Sequence, residues 1–264
     1  MAYVAIINIE AESKNKHTQH THNIQHIIIM TTNKLRVLVT GFGPYGNTTI
    51  NPSLAVVHLL QKKLGLSVDG AEIIAKEVSC EFNKSIEETT TCMEQLKPDA
   101  VIMLGEYPGR SMVTIERVAI NLNDSTRYGF TDQAGVALTG TKIVEDGPDA
   151  YFSTLPLRRI VKDLRSSGIP ADISGDAGTL MCNHIMYGTL HHPWARNEER
   201  PILAGFVHLP ALPEIAALDE NLGMPSMTAE LSCQAVECIV ASLVETMKNG
   251  GKDIDEPIKS RLLV

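Results

Sequence analysis

From Leu35 onward, short apolar runs alternate with longer stretches in which apolar residues recur at helical spacing. The short runs predict buried strands at residues 35–40, 100–104 and 202–208. The longer stretches predict helices that begin at residues 52 and 182, and others that cover 82–96, 152–166 and 229–248. Regular alternation of this kind predicts an α/β fold with a largely parallel sheet.

The first 33 residues do not follow this pattern. They contain the polar segment His17–His22 and then the apolar run Ile27–Met30, which is too short to span a bilayer and is not arranged like a secretory signal. Spaced histidines can bind a metal weakly, but an ordinary polar tail is the favoured interpretation. We therefore expect residues 1–33 to be an appendage that is disordered or outside the native core, and residues 34–264 to form a single α/β domain.

Charge and cysteine content narrow the range of partners. The chain of 264 residues has 23 lysines and arginines against 31 aspartates and glutamates, a net charge of -8, and no concentrated basic run. Nucleic acid and membrane surfaces are therefore not expected partners. Its five cysteines are odd in number and include no CxxC pair, which favours a reduced, cytoplasmic protein without a disulfide framework or a zinc site.

Cys182 lies where a turn-prone segment runs into a predicted helix. The first N–H groups of a helix lack internal acceptors and carry the positive end of its dipole, so we expect a thiol there to ionise readily. A free cysteine is more often simply packed in a core. The presence of Glu116 and His208 elsewhere in the chain favours the hypothesis that Cys182 is a nucleophile.

Two further candidates are Glu116 and His208. Glu116 interrupts a strand-like run, and a period of two places it on the same face as Val118 and Ile120, where a buried carboxylate needs a partner. Its neighbour Arg117 faces the opposite way in a strand, so a histidine from elsewhere is the more useful partner. His208 ends an apolar strand, which would mount a general base rigidly. An internal salt bridge could equally explain Glu116, and an ordinary core or edge position could explain His208.

Together these three residues supply the parts of a cysteine hydrolase. Cys182 would attack a carbonyl as the thiolate, His208 would transfer the proton, and Glu116 would orient the imidazole. The backbone N–H of Cys182 would donate to the developing oxyanion. A glycine-bearing loop after the first strand, residues 41–47, has no lysine suited to a phosphate loop, and its Phe42 and Tyr45 indicate a small apolar pocket instead.

Four blocks of sequence resemble those of the pyroglutamyl peptidase type I family, also called pyrrolidone-carboxylate peptidases. These blocks are GFGPYG with the following Asn51-Pro52, ERVAIN at 116–121, AGTLMCNH at 177–184 and GFVHLP at 205–210. The resemblance implies a three-layer α/β/α sandwich with a mostly parallel, twisted sheet. It also implies a cysteine exopeptidase that removes N-terminal pyroglutamate from peptides, with Glu116, Cys182 and His208 as its triad. The resemblance implies no metal or organic cofactor. It implies a homo-oligomer, and specifically a tetramer as in many bacterial members, whereas some other members are monomers.

The same resemblance assigns the substrate pocket. Phe42 and Tyr45 would flank the lactam ring, Asn51 would support their loop, and the backbone of Glu106 would contact the substrate. Leu180 takes the place of an aromatic residue two positions before the nucleophile, and Arg127 would correspond to the arginine of the oxyanion site. The family usually has phenylalanine in place of Tyr45 and often glutamine in place of Glu106, and this chain also has Pro108 in the same segment.

These departures leave two alternatives open. One is a cysteine amidohydrolase with the same triad that acts on another small cyclic or blocked amide, which equal turnover of acetyl and pyroglutamyl reporters would favour. The other is a binding protein that uses the pocket of Phe42 and Tyr45 without turnover. Saturable binding without alkylation of Cys182 near neutral pH would favour that second alternative.

Overall fold

Eight strands and six helices make up the fold of the computed structural model, which describes residues 34–45, 49–63, 68–196 and 202–260. The strands are β1 (Leu35–Phe42), β2 (Ala71–Val78), β3 (Ala100–Glu106), β4 (Val113–Glu116), β5 (Val118–Ile120), β6 (Ala150–Phe152), β7 (Ala171–Ser174) and β8 (Leu203–Leu209). The helices are α1 (Pro52–Lys62), α2 (Lys84–Leu96), α3 (Leu157–Ser166), α4 (Met181–His191), α5 (Pro213–Ala216) and α6 (Ala229–Lys248).

Six of the strands form one sheet in the order β2-β1-β3-β8-β4-β7. Strands β2, β1, β3 and β8 run parallel to one another, β4 runs antiparallel to β8, and β7 is parallel to β4. The point where the direction changes, between β8 and β4, brings His208 beside Thr114. Strands β5 and β6 form a separate antiparallel pair.

Side chains alternate between the two faces of this sheet and pack into two cores. Val37, Val39 and Ile102 belong to the core that α1, α3 and α6 cover. Leu38 and Met103 point the other way, into the core that α2 and α4 cover. The three-layer α/β/α prediction is therefore confirmed.

The predicted elements are present, several of them with shifted ends. The predicted helix at 152–166 begins only at Leu157, because residues 150–152 pair with β5 instead. The run that contains Glu116 is two strands rather than one, because β4 ends at Glu116 and β5 begins at Val118 in another sheet. The prediction that Glu116 and Val118 share one strand face is therefore wrong. That break frees the Glu116 side chain to face β8.

The described residues from 35 to 260 belong to a single compact unit of contacts. The expected appendage, residues 1–33, lies outside the described residues. Within the described ranges, the helices are all too short or too polar to cross a membrane.

The segment after α6 folds back along α3. The Asp253 carboxylate accepts hydrogen bonds from the backbone N–H groups of Arg158 and Arg159, at 2.9 and 3.0 Å. Pro156, which precedes α3, provides no capping side chain, so Asp253 caps this helix from a distant part of the sequence. The Ser260 hydroxyl donates to Asp172 at 2.9 Å and holds the same segment against β7.

Candidate active site

Glu116 and His208 form a buried pair at the junction of β4 and β8. The distance between His208 Nδ1 and Glu116 Oε1 is 2.7 Å, and the two residues expose 2% and 0% of their surface. With Nδ1 engaged by the carboxylate, the other ring nitrogen of His208 is left to exchange protons with a neighbouring group. The structure thus brings together two residues that the sequence predicted separately.

Arg110 completes this pair. Its Nη1 atom lies 2.8 Å from Glu116 Oε1, and its guanidinium carbon lies 3.8 Å from the centre of the Tyr107 ring, which in turn packs edge-on against His208 at 5.3 Å. Arg117, the neighbour in sequence, is exposed and bonds through its backbone instead. Arg110 was not among the residues predicted from the sequence, although it lies in the segment after Glu106 where the chain departs from the family pattern.

The electrostatic surroundings keep Glu116 ionised. Burial alone would raise the pKa of its carboxyl, but the hydrogen bonds from His208 and Ser174 and the positive charges of His208 and Arg110 together outweigh that effect. The pKa of Glu116 therefore lies below its ordinary value. A charged Glu116 is what stabilises an imidazolium during proton transfer.

Cys182 is the second residue of α4, and Leu180 is the N-cap residue. Gly178, in the left-handed region with φ 81°, makes the turn into this helix. The thiol lies against the end of β3: a Cβ atom added to Gly105 would be 2.9 Å from Cys182 Sγ. Gly105 pairs with His208 in the parallel register of β3 and β8, so the thiol and the imidazole lie at the same sheet edge.

The expectation that the thiol of Cys182 ionises readily is wrong for the free protein. Burial raises the pKa of Cys182 well above its ordinary value, Cys80, Glu116 and Glu106 add to the effect, and Arg110 opposes it weakly. Burial thus opposes the ionisation that a position at the start of α4 would favour. Such a thiol needs a base that removes its proton at the moment of attack.

A cavity of about 250 Å³ opens beside these residues. Its described lining is mainly apolar and aromatic, and comprises Phe42, Tyr45, Asn51, Cys80, Glu106, Tyr107, Pro108, Tyr128, Phe130, Ala177, Gly178, Thr179, Leu180, Met181, Cys182 and His208. Small uncharged ligands are typical of such cavities.

The residues predicted for the pocket are found in its wall, with one exception. Phe42 is buried, and Asn51 donates to the carbonyl of Gly43 at 3.0 Å while it also caps α1. Leu180 lines the cavity as well. Arg127 is exposed over the ring of Tyr128 and is not among the described lining residues, so its assignment to an oxyanion site stays a prediction.

Tyr45 and Glu106 form a polar pair inside this cavity. Tyr45 donates its hydroxyl hydrogen to Glu106 Oε2 at 2.6 Å, and its ring packs 6.1 Å from that of Phe130. Burial raises the pKa of Glu106, which the hydrogen bond from Tyr45 partly offsets, and burial beside Glu106 also raises the pKa of Tyr45. Sequence reasoning found both residues through the family resemblance but missed Tyr128 and Phe130, because their loop has no helical or strand periodicity.

Metal chemistry has no candidate among the described residues, where no three histidine, cysteine or acidic side chains are arranged to hold an ion.

An α/β/α sheet with a buried Glu–His pair and a helix-start cysteine at one cavity defines a cysteine hydrolase. The comparison with known proteins is more specific: residues 35–246 match the family model described as pyroglutamyl peptidase. The chain belongs to the pyroglutamyl peptidase family.

Relatives match over nearly their whole length. A pyrrolidone-carboxylate peptidase from Mycobacterium bovis (strain BCG / Pasteur 1173P2) is 46% identical over 229 residues, which cover 87% of this chain and 99% of that protein. Pyrrolidone-carboxylate peptidase 2 from Photorhabdus laumondii is 44% identical over 220 residues, covering 83% and 94%.

Solved structures show the same fold. The crystal structure of pyroglutamyl peptidase I from Bacillus amyloliquefaciens matches with a TM-score of 0.71 and 35% identity, over 84% of this chain and 100% of that one. The pyrrolidone carboxyl peptidase from Pyrococcus furiosus matches with a TM-score of 0.73 and 36% identity, over 80% and 99%.

Proposed function

We propose that this protein is a cysteine exopeptidase that hydrolyses the amide bond after an N-terminal pyroglutamyl residue. The single observation that carries the proposal is the buried hydrogen bond between Glu116 and His208 at the cavity that Cys182 also lines. Membership of the pyroglutamyl peptidase family supports the choice of substrate.

In the acylation step, His208 removes the proton of the Cys182 thiol as the sulfur attacks the carbonyl carbon of the pyroglutamyl residue. Ionised Glu116 stabilises the resulting imidazolium. The backbone N–H of Cys182, at the start of α4, is placed to donate to the tetrahedral oxyanion, a contribution typically of about 3 kcal/mol. His208 then protonates the departing amine, the C–N bond breaks, and a thioester to Cys182 remains.

In the deacylation step, water enters after the shortened peptide leaves. His208 takes a proton from this water as its oxygen attacks the thioester carbon. The C–S bond then breaks, the proton returns to the sulfur, and free pyroglutamate leaves. The raised pKa of Cys182 favours this return to the neutral thiol.

The cavity suits the chemistry of the proposed substrate. Pyroglutamate is an uncharged lactam without a free α-amine, and the walls formed by Phe42, Phe130 and Leu180 are apolar. Among the described lining residues there is no lysine or arginine, and Glu106, the acidic one, already accepts a hydrogen bond from Tyr45. An amine-bearing proline or glutamate would have to be desolvated here, which favours the lactam.

We further infer that the protein acts in the cytoplasm on peptides that begin with pyroglutamate, without a cofactor, and that it forms a homo-oligomer, specifically a tetramer. Light scattering coupled to size-exclusion chromatography tests this inference, and a monomer at micromolar concentration would contradict it.

The test of the proposed function is release of a fluorogenic amine from its pyroglutamyl amide, compared with the matching prolyl, glutamyl and acetyl amides. We expect turnover of the pyroglutamyl compound alone, and its loss in Cys182→Ser. Equal turnover of the acetyl amide would favour an amidohydrolase of broader specificity. No turnover by a folded protein that binds the amide saturably would favour a binding protein.

A further inference from the structure

Glu106 is the one acidic side chain among the described residues of the cavity wall, and only half of its carboxyl is engaged. Oε2 accepts the hydrogen bond from Tyr45 at 2.6 Å. Oε1 is buried without a hydrogen-bond partner among the described residues, and Glu106 as a whole exposes 7% of its surface. A buried polar atom that lacks a partner is costly, which indicates that something absent from the free protein engages Oε1.

The apolar cavity favours the neutral form of the Glu106 carboxyl over the ionised form when a ligand is bound. An ionised Glu106 would place a negative charge in the apolar cavity that Cys182 also lines. This charge would oppose the negative charges that develop on the Cys182 sulfur and on the oxygen of the attacked carbonyl. The neutral acid avoids this repulsion. It presents Oε1 as a hydroxyl donor while Oε2 still accepts from Tyr45.

We propose that Glu106, as a neutral acid oriented by Tyr45, donates a hydrogen bond from Oε1 to the ring carbonyl of the bound pyroglutamyl group and thereby determines specificity for the lactam. This inference rests on the proposed function. The proposed hydrogen bond differs from a contact of the Glu106 backbone, because here the side chain binds the ring oxygen, which is present in pyroglutamate and absent from proline. An apolar ring would leave the Oε1 hydroxyl unpaired, which selects against it.

The groups around Glu106 set the sign of its pH response. The titratable side chains that line the same cavity are Tyr45, Cys80, Tyr107, Tyr128, Cys182 and His208. Burial favours the neutral form of Glu106 and raises its pKa, whereas the hydrogen bond from Tyr45 lowers it. The donor is therefore present at low pH and is lost as Glu106 ionises at higher pH.

Two substitutions separate the hydrogen bond from the shape of the pocket. Glu106→Gln keeps a donor, in its amide NH₂ group, and an acceptor for Tyr45, but it cannot ionise. Glu106→Leu keeps a comparable size and has neither. Each variant is assayed against the pyroglutamyl amide and against the cyclopentanecarbonyl amide, in which the ring has no carbonyl and no N–H.

The preference is measured as the ratio of kcat/KM for the pyroglutamyl amide to that for the cyclopentanecarbonyl amide. We expect this ratio to be high in the wild type and in Glu106→Gln, and to fall at least tenfold in Glu106→Leu. A merely structural role would lower both rates together and leave the ratio unchanged. An unchanged ratio in Glu106→Leu overturns the inference.

The pH profile supplies the second readout. The wild type should lose kcat/KM on the alkaline side through a titration that Glu106→Gln lacks. Tyr45→Phe removes the hydrogen bond that lowers the pKa of Glu106, so its alkaline decline should move to higher pH. Identical alkaline limbs in the wild type and Glu106→Gln would contradict a neutral donor.

These results are distinguishable from failure of the proposed function. If the folded wild type does not turn over the pyroglutamyl amide at all, the proposed function fails. If the wild type turns it over with high preference and Glu106→Leu keeps that preference, only the role of Glu106 fails.

Discussion

His184, two residues beyond Cys182, couples the stability of the protein to pH. Its Nε2 atom accepts a hydrogen bond from the backbone N–H of Asn83 at 2.8 Å, and Nδ1 lies 2.9 Å from Asn123 Oδ1. An accepting Nε2 requires the neutral ring, with the hydrogen on Nδ1 directed to Asn123. Protonation would place a hydrogen on Nε2 facing the N–H of Asn83, so the native structure disfavours the protonated ring.

Burial, weakly opposed by Asp132, lowers the pKa of His184 to about 4. Unfolded chains bind the same proton near pH 6.5. The stabilisation is therefore complete above pH 6.5 and is lost as the pH falls toward 4, by about 3 kcal/mol in total and about 2 kcal/mol at pH 5.

The assay is urea unfolding followed by circular dichroism at pH 8 and pH 5, for the wild type, His184→Gln and His58→Gln. His58 is exposed on α1 and serves as the matched control. We expect the wild type and His58→Gln to lose about 2 kcal/mol more than His184→Gln between the two pH values. The same loss in all three proteins would refute the reasoning.

Three other substitutions test separate parts of the structure. Gly105→Ala places a methyl group 2.9 Å from Cys182 Sγ, so we expect activity in the amide assay to fall at least tenfold and the protein to lose about 1–3 kcal/mol of stability. Full activity would contradict the close approach. Arg110→Gln removes a cation from Glu116, so the pKa of Glu116 should rise and the acid limb of kcat/KM should move to higher pH; an unmoved limb would argue against this pairing. Asp253→Ala removes the cap of α3 and should lower the free energy of unfolding by about 1 kcal/mol without changing kcat/KM; no loss of stability would show that the cap is dispensable.

The sequence predicted the elements that carry their own periodicity. Helix α6 has the predicted bounds, Ala229–Lys248, because its apolar positions and its capping Thr228 are local signals. Strand β7, Ala171–Ser174, was missed because its four residues include Asp172 and show no apolar run. Its strand form depends on pairing with β4, which is a tertiary effect.

For the candidate site, sequence reasoning proposed the residues but not their electrostatics. Glu116 and His208 are 92 positions apart, and their contact follows from the antiparallel pairing of β4 with β8, which no local pattern indicates. Arg110 was missed because its contact with Glu116 depends on the irregular segment between β3 and β4, which has no periodic pattern. The sequence predicted a thiol that ionises readily, whereas burial raises the pKa of Cys182. The position of a residue in a helix can be seen in the sequence, but its burial cannot.

The most direct test of the central claim is to look for the acyl-enzyme on Cys182. The protein is mixed with excess pyroglutamyl amide, quenched in acid during turnover, digested and mapped by mass spectrometry. The account predicts a pyroglutamyl group on the peptide that contains Cys182, absent from Cys182→Ser and lost when substrate is exhausted. Undiminished turnover by Cys182→Ala, with no acyl group on the wild-type peptide, would contradict it.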